Sequence, residues 1–335
     1  MRMAFGERFD IPDGYLNTAS IGVPPARVAD AMAKAVSDWR QGLTKAPDYD
    51  EPTGVARRGW ARLVGVDPAN VAIGASVSQL VALVAAGIPD GTRVLTVVNE
   101  FTSATFPFAA QAHRGVTVTE VSHEELVARA PEFDLVVVGV VQSVDGTVAD
   151  LDGLRASGVR VLLDATQSVG WLPADLSWAD WVVCSSYKWL LGPRGAAWLA
   201  IRPDAAELTR PIAANWYSGE TPWDTVYGLP LRLAGDARAF DLSPVWFAQV
   251  GAAAALDWFV GLDIAAVHDH CVGLANRLRA GLDLPMGDSA IVSLDNAEAL
   301  ADAGIRGALR AGRTRVSFHL YNTEDEVDRV LKALR

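Results

Sequence analysis

The sequence predicts an α/β fold: a mostly parallel sheet covered by helices on both faces, followed by a smaller α+β C-terminal domain. Three observations predict it. Short apolar runs, mostly rich in valine and bounded by turn residues, alternate with helix-like segments. The chain has 335 residues, 50% hydrophobic and 21% charged, which is enough for one large core and an appended smaller one. After about Gly235 the alternation gives way to long helices and isolated strands.

In chain order, a short strand at Val71–Ile73 leads into a helix at Ser76–Ala86. Buried strands follow at Val94–Val98 and Val116–Val121, with a helix at Thr102–His113 between them. Helical Glu124–Ala128 precedes a strand at Leu135–Val140, and helical Leu151–Ala156 precedes one at Arg160–Leu163. Trp181–Cys184 and Ala196–Ile201 complete the set. Pro244–Val260 and Ile264–Leu282 read as two long helices. A strand near Ala290–Leu294, a helix near Ala297–Leu309 and a strand at Arg313–His319 come next. Thr323 and Glu326 have the spacing of a capping box, which starts a final helix at about Glu324. The expected division is a large domain of residues 14–243 and a small domain of 1–13 plus 244–335. The N-terminal strip is expected to pack with the small domain or over the cleft. Neither an internal repeat nor a low-complexity linker interrupts the chain.

The net charge of −11 argues against nucleic acid or an anionic membrane as a partner. No apolar run reaches the length of about 18 residues that spans a bilayer. Met1–Asp10 carries Arg2, Glu7, Arg8 and Asp10 and no apolar stretch, so it does not read as a secretory signal. A cytoplasmic protein is expected. Cys184 and Cys271 cannot build a disulfide framework. His268 and His270 flank Asp269, but residues two apart do not share a helix face, so a solvated face is read there and no metal site is expected.

Lysine usage carries more. Of 29 basic residues only Lys34, Lys45, Lys188 and Lys332 are lysine. Lys188 alone lies among apolar residues, in Cys184-Ser-Ser-Tyr-Lys-Trp-Leu-Leu191. Arginine cannot form an imine, whereas a desolvated lysine can lose its proton and do so. The alternative is a lysine that snorkels at a strand end. Asp164 closes an apolar run 24 residues earlier, and Gln167 follows it. A carboxylate there suits a protonated ring nitrogen, which makes a pyridinium a better electron sink. Taken alone, Asp164 could merely cap a turn; with Lys188 one strand further on, the pair points to pyridoxal 5′-phosphate (PLP). Gly74-Ala-Ser-Val-Ser-Gln79 opens a helix with small residues, leaving backbone N–H groups for an anion, to which Ser76 can add its hydroxyl. Ser185 and Tyr187 could supply further phosphate donors. Neither GxGxxG nor a Walker loop is present, so a nucleotide site lacks support.

These residues resemble fold-type I PLP enzymes of the class V aminotransferase family, which includes cysteine desulfurases, kynureninase and isopenicillin N epimerase-like proteins. The resemblance runs from Tyr15-Leu-Asn-Thr-Ala-Ser-Ile-Gly22, like the family's opening strand, through Gly74-Ala-Ser76, Glu100-Phe101 and Asp164-Ala-Thr-Gln167. It continues through Ser185-Ser-Tyr-Lys-Trp-Leu-Leu-Gly-Pro193 to Arg315-Val-Ser-Phe-His-Leu-Tyr-Asn-Thr323. It implies a three-layer sheet fold with Lys188 as Schiff-base lysine and proton shuttle. It implies Asp164 at the pyridine nitrogen, Gln167 at the phenolic oxygen and Phe101 stacked on the ring. Ala75, Ser76, Ser185 and Tyr187 would form the phosphate cup. Arg315 would clamp the substrate carboxylate, a group that suits a guanidinium fork, with a structural salt bridge as its alternative. Ser20 and Ser143 join the substrate set, although many relatives carry asparagine at the place of Ser143. Ser243 resembles a hydroxyl that reaches the phosphate of a neighbouring subunit, and Trp216 an aromatic near the phosphate, which implies a homodimer with a shared active site.

One departure narrows the chemistry. Desulfurases carry a nucleophilic cysteine shortly before the carboxylate-binding arginine, whereas Ile305–Arg315 contains none. Cys184 and Cys271 read as small buried hydrophobes. The expectation is therefore an amino-acid aminotransferase or β-eliminating lyase. Kynureninase-like hydrolysis and epimerisation stay open, as does a non-catalytic binding protein of the same fold.

Overall fold

The computed structural model describes residues 1–295 and 297–334. A hairpin of β1 (Arg2–Ala4) and β2 (Glu7–Phe9) precedes helices α1 (Ala26–Arg40) and α2 (Asp50–Val64). The central sheet holds β3 (Val71–Gly74), β4 (Arg93–Val97), β5 (Thr117–Val121), β6 (Leu135–Gly139), β7 (Arg160–Asp164), β8 (Trp181–Ser185) and β9 (Ala197–Ile201). Their order is β3-β9-β8-β7-β6-β4-β5, and only β9 runs antiparallel to its neighbours. Connecting helices are α3 (Val77–Ala85), α4 (Thr102–Ala109), α5 (His123–Arg129) and α6 (Leu151–Ser157).

The strands are apolar on both faces because both faces are covered. Leu95, Val136, Val138, Val161 and Leu163 pack in one core with Trp60 of α2. Their chain neighbours Val94, Leu135, Val137 and Leu162 pack in another with Leu80 and Val84 of α3. The period of two along each strand thus assigns alternate residues to opposite layers.

Four elements build the second half: α7 (Trp246–Phe259), α8 (Ile264–Gly281), a sheet, and α10 (Glu324–Leu334), with α9 (Ala297–Asp302) packed beside it. The sheet is β10 (Ile291–Leu294), β11 (Ala308–Arg310) and β12 (Arg313–Ser317), antiparallel in the order β10-β12-β11. Its core unites Leu278 of α8, Val316 of β12 and Val330 of α10 with Leu16 of the N-terminal strip. The expected division at 243/244 falls just ahead of α7, whose Ala252 and Leu256 belong to the core of the large sheet.

The helix expected near Ala297–Leu309 ends at Asp302, and Ala308–Arg310 is a strand. The stop is chemical. Gly304 has φ +71°, its N–H donates to Ala301 O, and the Ile305 N–H donates to Leu300 O at 2.9 Å. This is a Schellman motif, with Leu300 and Ile305 buried together. The Tyr15–Gly22 segment, expected as a strand, pairs only through single bridges, Tyr15 with Arg306 and Asn17 with Ser317. The N-terminal strip is tied to α10 by Glu326, which accepts from the Gly14 N–H at 2.9 Å and from Arg2 at 3.1 Å. Glu326 also accepts from the Thr323 N–H, which is the backbone half of the expected capping box.

No single described helix is long and apolar enough to cross a membrane. The bent pair α7 and α8 passes such a test by length and composition only, and both bury residues in the cores above.

Candidate active site

The informative residues collect at the carboxyl ends of β6, β7 and β8, where ligands of parallel sheets bind. Asp164 ends β7 and sits opposite Gly139, the last residue of β6. Ser185 ends β8, and Lys188 follows in a tight turn closed by the Leu191 N–H on Lys188 O at 3.2 Å. The N-terminal strip crosses this turn: the Gly22 N–H donates to Tyr187 O at 2.8 Å. A Cβ on Gly22 would stand 2.1 Å from Lys188 O, so only glycine permits the crossing.

A cavity of about 180 Å³ opens here, lined by Lys188, Asp164, Gln167 and Phe101 among others. Lys188 is buried, and its Nζ lies 5.1 Å from the Phe101 ring centroid and 5.7 Å from that of Tyr187. Desolvation lowers its amine to about 8, against the pull of Asp164. Nearby Arg315 and Arg310 lower it further. Burial raises the Asp164 carboxyl; the Thr166 N–H, donating to Oδ1 at 2.9 Å, and the charge of Lys188 oppose that rise.

Glu100 is a further buried carboxyl at this wall. Its oxygens accept from the Phe101 N–H at 2.6 Å and from the Gly139 N–H at 2.7 Å. Burial lifts it to about 7 despite those two bonds, and Asp164 adds to the rise.

Gln167 is fixed on both sides of its amide. Trp189 Nε1–H donates to its Oε1 at 2.7 Å, while its Nε2 donates to Ala19 O and to Ser143 Oγ at 3.0 and 2.9 Å. Ser143 then joins the cavity to β12. Arg315 donates through Nη1 to Ser143 O and to Ser143 Oγ, the latter at 3.0 Å, and through Nη2 to Ser20 Oγ at 2.7 Å. Arg315 is 1% exposed, its Nε is without a partner, and it faces no carboxylate among the described residues. Its expected alternative, a structural salt bridge, is therefore not what holds it.

At the other end of the cavity, Ala75, Ser76, Val77 and Ser78 present the first turn of α3. Ser76 is the N-cap residue but makes no capping bond; its hydroxyl donates to Gln79 Oε1 at 3.2 Å. The first N–H groups of α3 are thus left for an anion. Ser185 and Tyr187 line the same cavity. Ser243 and Trp216 do not; within one chain they line a separate hollow with Trp223 and Trp246.

Three lining residues, Thr166, Arg194 and Glu100, were given no role from the sequence, and for the first two it carries no signal. Thr166 Oγ1 accepts from the Ser185 N–H at 3.2 Å, bridging β7 and β8. Arg194 lays its guanidinium 5.3 Å from the Tyr187 ring centroid. Glu100 had a usable signal, a carboxylate directly after a strand and before Phe101. Cys184 and Cys271 are both fully buried, and burial pushes both thiols up. Among the described residues no group of three or more His, Cys, Asp or Glu is placed to hold a metal ion.

The donor set fits PLP: a buried lysine amine and a buried carboxylate lining the cavity, an uncapped helix start and an aromatic face. The model of the aminotransferase class-V family matches residues 56–301. An uncharacterized aminotransferase of Bacillus subtilis is 27% identical, over 90% of this chain and 89% of its own length. An isopenicillin N epimerase of Amycolatopsis lactamdurans is 26% identical, over 84% of this chain and 83% of its own. Among solved structures, a C-DES variant with glycine covalently linked to its PLP cofactor superposes with a TM-score of 0.85, covering 96% of both chains at 21% identity. The α/β fold is that of fold-type I PLP enzymes, and PLP is the cofactor.

Proposed function

The chain belongs to the aminotransferase class-V family, and from that premise we propose that it removes the Cα proton of an α-amino acid at Lys188, as an aminotransferase or a β-eliminating lyase. The observation that carries the reading is one cavity lined by buried Lys188, Asp164, Gln167 and Ser143, with Gln167 and Arg315 both hydrogen-bonded to Ser143. The base thus lines the cavity, and the proposed carboxylate clamp is hydrogen-bonded to Ser143 in its wall.

Asp164, Gln167 and Phe101 would hold the cofactor ring, and Ala75, Ser76, Ser185 and Tyr187 its phosphate. PLP, when bound, supplies the sink for the electron pair left at Cα. The protein supplies the rest. Lys188 Nζ, neutral over part of the physiological range, accepts the proton. Arg315 holds the α-carboxylate with the N–H groups that Ser143 and Ser20 leave free, and so turns the Cα–H bond toward Nζ. Burial at the sheet ends excludes water from Nζ.

A second reading, return of the proton to Cα as in an epimerase, is supported by the likeness to isopenicillin N epimerase. Kynureninase-like cleavage rests on Phe101 and Tyr187 alone. Persulfide chemistry is not proposed, because both cysteines are buried. Ser243 and Trp216 are proposed to act on the neighbouring subunit of a homodimer, since Val245 and Trp246 beside them are exposed.

Borohydride treatment of the purified protein should fix a pyridoxyl mass on the Lys188 peptide. A protein that takes up no PLP would end this reading. Incubation with single amino acids, scored for keto acid, for pyruvate with ammonia and for solvent deuterium at Cα, then separates the three outcomes. Arg315→Ala should raise the half-saturating amino-acid concentration at least about tenfold, the loss of a charged hydrogen-bonded pair. An unchanged value would remove Arg315 from the substrate site.

A further inference from the structure

The hairpin of β11 and β12 turns through Ala311 and Gly312, with φ of +44° and +79°. Such a two-residue turn pairs Arg310 with Arg313 and Ala308 with Arg315. Arg310, Arg313 and Arg315 therefore share one face of the hairpin. Their fates differ. Arg313 pairs with Asp295 at 2.9 Å and donates to Ser293 Oγ at 3.0 Å. Arg310 reaches the opposite way and donates through Nη2 to Ser20 Oγ at 3.2 Å, the same oxygen that Arg315 holds at 2.7 Å. Two guanidinium groups thus meet on one hydroxyl. Neither pairs with a carboxylate among the described residues.

Bringing two like charges to one oxygen is unfavourable without an anion between them. One guanidinium suffices for one α-carboxylate, and the buried Arg315 is already aimed at it. Arg310 is exposed and keeps most of its N–H donors unused. The Ser20 hydroxyl accepts from both arginines, which leaves its own proton to donate. We propose that Arg310 and Ser20 form a second anion subsite, and that the substrate is an amino acid carrying a further carboxylate on its side chain. This rests on the reading of Arg315 as the α-carboxylate clamp.

The test titrates holoenzyme with L-glutamate against L-glutamine and with L-aspartate against L-asparagine, following cofactor absorbance. At least one acid should half-saturate at a concentration about tenfold below its amide, the share expected for a partly exposed charged pair. Arg310→Gln, at an exposed position, should abolish that preference while leaving the amide within about twofold. Glutarate and butyrate binding by calorimetry gives the same comparison without an amino group, with glutarate favoured and the preference lost in Arg310→Gln. Amino acids that bind with no preference for the acid would overturn this proposal and leave the clamp reading intact. A preference that survives in Arg310→Gln, or an equal loss for acid and amide, would also overturn it. If none of the amino acids changes the absorbance and glutarate binds no tighter than butyrate, the clamp reading and this one both fail.

Discussion

Trp189 holds Gln167 by a 2.7 Å hydrogen bond from its indole N–H to Oε1, so the residue after Lys188 sets the orientation of the amide that faces Ser143. With Oε1 taken, Nε2 must point to Ala19 O and Ser143 Oγ. The indole is itself fully buried against Trp171, whose own N–H donates to Gln167 O at 2.7 Å. Trp189→Phe keeps most of the apolar volume but strands Oε1. The expected loss is about 2–4 kcal/mol, an unsatisfied buried acceptor plus a small cavity, read by urea unfolding of the protein without cofactor. A loss below about 0.5 kcal/mol would show that the amide finds another partner.

Arg57 and Asp241 anchor the edge of the sheet at β3, the strand that leads into α3. Arg57 donates to both Asp241 oxygens, at 3.1 and 2.6 Å, and Asp241 Oδ1 also accepts from the Ile73 N–H of edge strand β3 at 2.9 Å. Asp241 is 1% exposed. Asp241→Asn leaves the guanidinium buried without its counter-charge, at an expected cost of about 3–5 kcal/mol. Replacing both partners by apolar residues should recover part of that loss. A single-variant loss under about 1 kcal/mol would place the pair with surface ion pairs.

The large sheet was legible because its strands are short, valine-rich and covered on both faces, a pattern that needs no long-range knowledge. Lys188, Asp164 and Gln167 were legible for a similar reason: each stands one to three residues past or at a strand end. Ala308–Arg310 was not. Its residues suit a helix, and only the Gly304 stop and pairing with β12 make them a strand. Glu100 and Arg310 were not assigned either. Their roles depend on Gly139 and Ser20, 39 and 290 residues away in the chain. No local spacing encodes such contacts.

Glu100 should make the protein's stability depend on pH in an unusual direction for a carboxyl. Its folded value is raised to about 7 from an ordinary 4.5. Between those values the unfolded chain has released a proton that the folded chain keeps. The Glu100 contribution therefore falls as pH rises through this window, by an amount on the order of 3 kcal/mol, and levels off above it. Glu100→Gln removes the titration, and its amide offers one acceptor to two N–H donors. The variant should be less stable than the parent at pH 5, with the gap narrowing toward pH 8. Urea midpoints of both proteins without cofactor check this. A gap that stays constant from pH 5 to pH 8 would place Glu100 in its ordinary range.

Lys188 should bind cofactor over a pH range set by its burial. An amine at about 8 is half neutral at that pH, whereas an ordinary lysine near 10.4 would be neutral to well under about 1%. Only the neutral amine attacks an aldehyde. The rate at which protein without cofactor takes up PLP should therefore climb with pH and flatten near 8, followed by stopped-flow absorbance. Asp164 is the largest influence raising the amine and Arg315 the larger of the two arginines lowering it. Asp164→Asn should then move the bend to lower pH, and Arg315→Gln to higher pH. A bend that stays near 8 in both variants would mean that desolvation alone sets the amine, because both charges would then be screened from Nζ.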